Sequence, residues 1–139
     1  MLPESGEREQ SFDASNTPYA AIGGAEGVHQ LAQTFYDLME RQSQFAELRA
    51  LHGEDLTEAR EKFYDFLSGW LGGPPLFMQK HGHPRLRMRH APFPIGPLER
   101  DQWLACMTMA MDTCEIDGPL REFLDGRFTH VANFMQNRA

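Results

Sequence analysis

Glycine and proline interrupt this 139-residue chain at a few points, and those points limit what it can fold into. Gly23-Gly24, Gly72-Gly73-Pro74-Pro75, the prolines at 92, 94 and 97, and Asp117-Gly118-Pro119 each break a helical pattern. Proline removes an amide donor and crowds the preceding turn, and glycine tolerates the left-handed backbone that ends a helix. Between the breaks the apolar residues recur at helical spacing. Over 25–41 they fall at Val28, Leu31, Phe35, Leu38 and Met39, with Tyr36 beside that face. Over 57–71 they are Ala59, Phe63, Phe66, Leu67, Trp70 and Leu71, with Asp55 or Thr57 as the cap. A third stripe, over 97–114, holds Trp103, Cys106, Met107, Ala110, Met111 and Cys114. The fourth, over 119–136, holds Leu120, Phe123, Leu124, Phe128, Val131 and Met135. Shorter pieces are expected after Thr17-Pro18 and around Phe45, Leu48 and Leu51, and Pro84 is expected to open a short helix. Residues 76–83 read as irregular and 92–97 as extended. No segment alternates with strand period, so the chain is predicted to be all-α.

Its size suits one domain with a real core. Residues 1–16 are polar and without period and are expected to form a flexible extension, with the folded domain over 17–139. The chain carries a net charge of −7 and a pI near 5.3, which disfavours binding to nucleic acid. No apolar run is long enough for a membrane span or a signal peptide, so a cytoplasmic location is expected. Cys106 and Cys114 are eight residues apart on one helix, about 12 Å at the helical rise, too far for a disulfide.

Against that acidic background, HGHPRLRMRHAPFPIGPLERDQW at 81–103 gathers three histidines and, ahead of His90, three arginines with no acid among them. His81-x-His83 with His90 has no local Cys, Asp or Glu to complete four zinc ligands, so His81 and His83 read as surface residues. His90 shares a helix face with Leu86 and has Ala91, Pro92 and Phe93 beside it. A single imidazole with an apolar approach suits haem, whose iron needs a strong axial donor and whose carboxylates need cations such as Arg87, Arg89 and Lys62. Taken alone, the same residues better suit a core histidine beside solvated arginines. Phe77, Leu86, Phe93, Ile95 and Met107 likewise fit either a plain core or a haem wall.

Several separate motifs stand in order: TPY at 17–19, IGG at 22–24, FYDLM at 35–39, GGPPLF at 72–77, GHPRLRMRH at 82–90, APFPIG at 91–96 and ERDQWL at 99–104. With them the chain resembles the truncated haemoglobins of the group II branch over roughly 17–138. The resemblance implies a globin-like two-over-two helical sandwich around haem b. By position it makes His90 the proximal ligand and Trp103 and Tyr36 distal residues, with His52 at the start of the loop between long helices. Ala59 and Phe63 match distal-helix positions where many globins carry a polar residue. Donors aimed at a diatomic ligand must then come from Tyr36, His52 and Trp103.

The expected ligands are dioxygen and other diatomics, nitric oxide and carbon monoxide among them, with peroxide as a possible oxidant. Three donors around one ligand imply slow release, which fits redox chemistry with nitric oxide or peroxide, served by a reductase, better than bulk transport. A haem-based sensor or electron-transfer protein is the alternative, and a haem-free helical interaction module a more distant one. The chain is expected to be a monomer or homodimer.

Overall fold

The computed structural model describes residues 12–13 and 15–138. Among the described residues eight α-helices follow in order: α1 (Pro18–Ile22), α2 (Gly24–Arg41), α3 (Ala46–Ala50), α4 (Thr57–Trp70), α5 (Leu76–His81), α6 (Leu86–His90), α7 (Pro97–Thr113) and α8 (Gly118–Met135). One 3₁₀ turn, Ser43–Phe45, precedes α3. Among the described residues there is no strand beyond one isolated bridge pair, Asp13 with Asn16.

The four long helices form the body. α2 packs on α4 and α7, and α7 packs on α8. Val28, Leu31 and Ala32 of α2, Leu67 of α4, Cys106, Met107 and Ala110 of α7 and Leu124 of α8 are wholly excluded from solvent. Each large side chain buried this way contributes about 1.5–3 kcal/mol. The stripes read from the sequence are therefore the stripes that meet: residues such as Phe63, Trp70, Trp103, Cys114 and Phe123 are half-buried against the core, while Val131 and Met135 are half-buried outside it. No described helix is long and apolar enough to cross a membrane.

Helix ends follow local chemistry. The Thr17 hydroxyl accepts from the Ala20 amide at 3.0 Å, Pro18 opens α1, and Gly23 at φ 107° closes it. The Tyr19 amide then donates to the Leu71 carbonyl at 2.9 Å, which docks α1 on the end of α4. Glu99 accepts from the Gly96 amide at 2.9 Å and sets the start of α7.

Two expectations are corrected. Residues 76–83 are not irregular throughout: α5 occupies Leu76–His81. Pro74 and Pro75 stand just ahead of it, where a missing amide costs nothing, and Lys80 ties it to the buried Asp65 of α4 at 3.0 Å. Pro84 does not open α6 directly. Arg85 intervenes at φ 46°, ψ 58°, and the helix starts at Leu86.

Residues 1–11 and 14 of the expected N-terminal extension lie outside the described residues. Within its described part the Phe12 ring sits 4.8 Å from Phe123 of α8, and the Asp13 carboxylate accepts from the Ser15 amide at 2.9 Å.

Candidate functional site

The short helix α6 has one inward face, made of Leu86 and His90, both half-buried. His90 Nδ1 lies 2.8 Å from the Leu86 carbonyl. A carbonyl only accepts, so Nδ1 carries the proton and Nε2 keeps its lone pair. Burial pulls the His90 pKa below the ordinary imidazole value and so favours that neutral, ligating form.

Asn137, just past α8, fixes the peptides that follow. Its side-chain amide donates to the carbonyls of Phe93 at 3.0 Å and His90 at 3.3 Å, and its oxygen accepts from the Ile95 amide at 2.9 Å. The Phe93 ring stands 6.4 Å from the His90 ring. Ile95 and Phe77 are buried nearby in sequence.

A separate aromatic cluster comes from α2, α4 and α7. Tyr36 is 6% exposed and packs edge-on against Phe35 at 5.1 Å, Phe63 at 5.8 Å and His52 at 5.8 Å. Trp103 meets Phe35 at 5.6 Å, Phe63 at 6.5 Å and Phe128 at 5.7 Å. Desolvation holds the Tyr36 phenol well above the usual range, so it stays protonated and able to donate. The Tyr36 hydroxyl and the Trp103 indole N–H make no hydrogen bond with any described residue. Donors left without a partner in a packed interior are uncommon. Here two of them sit in one aromatic cluster.

His52 closes this cluster toward the surface. Its Nδ1 lies 3.1 Å from the Leu48 carbonyl, so the neutral ring presents an Nε2 lone pair. Burial, with smaller effects from Arg49 and from His90, lowers its pKa and keeps it neutral. In this tautomer His52 accepts and does not donate, which narrows the donors expected from the sequence to Tyr36 and Trp103. The outer side of His52 lines a recess of about 400 Å³ with Met39 and Arg49.

The cations expected at a carboxylate edge are already partly engaged. Lys62 pairs with Glu58 at 3.0 Å. The Arg87 guanidinium lies over Phe134 and that of Arg89 over Phe77, each 5.3 Å from the ring centre. Arg89 Nε also donates to the Pro84 carbonyl at 2.6 Å. Neither arginine touches a carboxylate. Met107 lies in the core between α7 and its neighbours, with no exposure.

Three supporting residues had no sequence signal. Asn137 latches onto backbone groups more than forty positions away. Gln102 of α7 accepts from the Leu48 amide at 3.0 Å and donates to Glu47 at 2.7 Å, which fixes α3 and with it His52. Arg60 of α4 lies 5.9 Å from the Tyr36 ring centre while paired with Asp37 at 2.9 Å. Asn137 and Arg60 belong to no motif, Gln102 lies within ERDQWL at 99–104 without a role read for it there, and each works through a partner distant in sequence.

The residues fit an iron porphyrin: one neutral imidazole with a free lone pair, apolar neighbours, two arginines free of carboxylates, and two donors without a partner among the described residues. Comparison with known proteins agrees in fold and sequence. The family model of the bacterial-like globins matches residues 17–137. A group 2 truncated hemoglobin of Bacillus subtilis, YjbI, is 47% identical over 129 residues, covering 93% of this chain and 92% of that protein. The group II 2-on-2 hemoglobin of Agrobacterium tumefaciens superposes with a TM-score of 0.85 at 47% identity, over 88% of this chain and 95% of the other. The truncated oxygen-avid haemoglobin from Bacillus subtilis gives 0.81 at 45% identity, over 88% and 100%. The chain belongs to the bacterial-like globins and, within them, to the group II truncated, two-on-two haemoglobins.

Proposed function

We propose that the chain holds haem b with His90 Nε2 as axial ligand and binds dioxygen and other diatomic molecules on the opposite face. The observation that carries this reading is the His90 geometry, one neutral imidazole oriented by the Leu86 carbonyl with its Nε2 lone pair left for iron. Phe63, Phe77, Leu86, Phe93, Ile95 and Met107 form the apolar surround, and Lys62, Arg87 and Arg89 hold the propionates. Bound haem supplies an iron with one open position, where a diatomic ligand draws negative charge. The Tyr36 hydroxyl and the Trp103 N–H donate to that ligand and slow its escape.

Slow release suits redox use, with nitric oxide or peroxide as co-reactant, rather than bulk oxygen transport. Likeness to an oxygen-avid relative supports the same reading. Both cysteines are free thiols, which suits a reducing compartment such as the cytoplasm. Absorption spectra of the ferric, ferrous and carbon monoxide forms, with an oxygen off-rate, test the assignment. A colourless protein that takes up no added haem would reject it in favour of a haem-free helical module.

One observation favours a second reading, a sensor or electron-transfer protein. The His52 Nε2 lone pair is suited to be a sixth ligand. A low-spin, six-coordinate spectrum in the ligand-free protein is the expected sign, and a five-coordinate spectrum excludes it.

A further inference from the structure

Charge is divided unevenly along this acidic chain. Residues 66–98 and 126–139 contain no Asp or Glu, yet they hold Lys80, Arg85, Arg87, Arg89, Arg127 and Arg138. The remaining positions therefore carry seven of the thirteen Lys and Arg against all twenty acids. The fold brings the two acid-free stretches together. α6 packs on α8, Arg87 covers the Phe134 ring at 5.3 Å, and Asn137 binds the His90 carbonyl.

The large apolar side chains left exposed among the described residues follow the same division. Met78 (55%), Met88 (58%), Phe93 (41%), Leu98 (52%) and Phe134 (47%) all lie in these two stretches. Arg85, Arg87 and Arg89 are exposed and make no ion pair with a described residue; Arg87, Arg89 and Phe93 are assigned above to haem, which leaves Arg85, Met78, Met88, Leu98 and Phe134 to face a partner. Lys80, by contrast, is engaged by Asp65. Arg85 also sits at φ 46°, a backbone region unfavourable to a residue with a Cβ. A surface rich in arginine and methionine, drawn from stretches that contain no acid, has the composition of an interface core, and its charge selects an acidic partner.

We propose that the outer face of α6, with the adjoining end of α8, is the docking surface for a small acidic one-electron donor protein. The inference rests on the haem reading above, because α6 carries His90 and so offers the partner a short path to the iron. In the transfer the donor's centre is oxidised by one electron and ferric iron is reduced to ferrous. No bond or proton changes hands.

The sign of the salt dependence tests the surface. Two proteins of net negative charge repel, so a contact governed by net charge tightens as salt rises. A local cationic face predicts the reverse. The probe is a fluorescently labelled, acidic plant-type [2Fe–2S] ferredoxin titrated with the purified globin from ~10 mM to ~1 M salt, where the screening length falls from ~30 Å to ~3 Å. Binding is expected to weaken as salt rises. Arg85→Glu is expected to weaken it about tenfold at low salt, while Arg41→Glu, the same charge change at the far end of α2, leaves it within about twofold. Binding that strengthens with salt, or equal losses in the two variants, overturns the proposal. So does Arg85-dependent binding to anionic phosphatidylglycerol vesicles without ferredoxin binding, which assigns the face to a lipid surface.

Anisotropy needs no haem, so a protein without a Soret band overturns the haem reading while the titration still decides the surface. Ferredoxin that binds the haem-loaded protein but does not reduce it overturns the electron-donor assignment.

Discussion

The geometry of single side chains makes the sharpest claims. His90→Ala removes the only oriented imidazole on its side, and the variant is expected to lose its haem or surrender it readily to a scavenger. A normal five-coordinate ferrous spectrum would contradict the axial assignment. Trp103→Phe removes one donor of a charge-assisted hydrogen bond, worth ~1.5–3 kcal/mol, and is expected to raise the oxygen off-rate roughly 10- to 150-fold. Stopped-flow displacement by carbon monoxide measures it, and an unchanged rate rules the indole out as a donor. Burial pushes the Cys106 thiol up to about 12 and the Tyr36 phenol higher still. Both groups stay neutral in the fold and ionise in the unfolded chain from about pH 8.5 and 10 upward. Their stabilisation is therefore complete below those values and is lost as pH rises toward the folded ones. Urea midpoints are expected to fall above about pH 9, and Cys106→Ala should flatten the first part of that decline. His90 and Trp103 were legible in the sequence through the motifs around them. Tyr36 was ambiguous, because periodicity put it at the edge of a stripe and only packing against Phe63 and His52 turns it inward. The His52 tautomer was not legible at all, since it depends on where one carbonyl lies.

At the level of elements, the four long helices were readable because each has an apolar stripe bounded at one end or the other by glycine or proline. α5 was missed for a physical reason. Its six residues have no stripe of their own, and a contact outside local sequence, Lys80 with Asp65, helps to hold it. Local sequence also could not show that Gly27 of α2 stands where a Cβ would collide with the Ile22 carbonyl at the end of α1. Gly126 of α8 has open space around it. The two glycines should respond with opposite sign to the same change. Gly27→Ala is expected to cost about 1–3 kcal/mol through overpacking, and Gly126→Ala to gain about 0.5–1 kcal/mol by removing a helical glycine. Urea denaturation of the two variants checks both, and a gain at Gly27 would mean that α1 gives way at little cost.

Across the whole molecule, burial is lopsided. The sides of α2, α4, α7 and α8 that face each other exclude solvent, whereas over 78–94 only Pro84, Leu86 and His90 are even half-buried. Helices with few buried apolar contacts open at low free energy. Amides of α5 and α6 are therefore expected to exchange fastest among the helices of haem-free protein, and to gain the most protection when haem binds. Equal gains across all helices, followed by hydrogen exchange, would contradict that picture. The Asn137 latch has a further consequence, one of timing. The His90 carbonyl and its clasp are 47 residues apart in the chain. At synthesis rates of about 5–20 residues per second, the ribosome adds Asn137 roughly 2–10 s after His90. Until then the imidazole sits on a helix whose exit is unfastened, so a nascent chain meets haem with its proximal side still loose and tightens around it last.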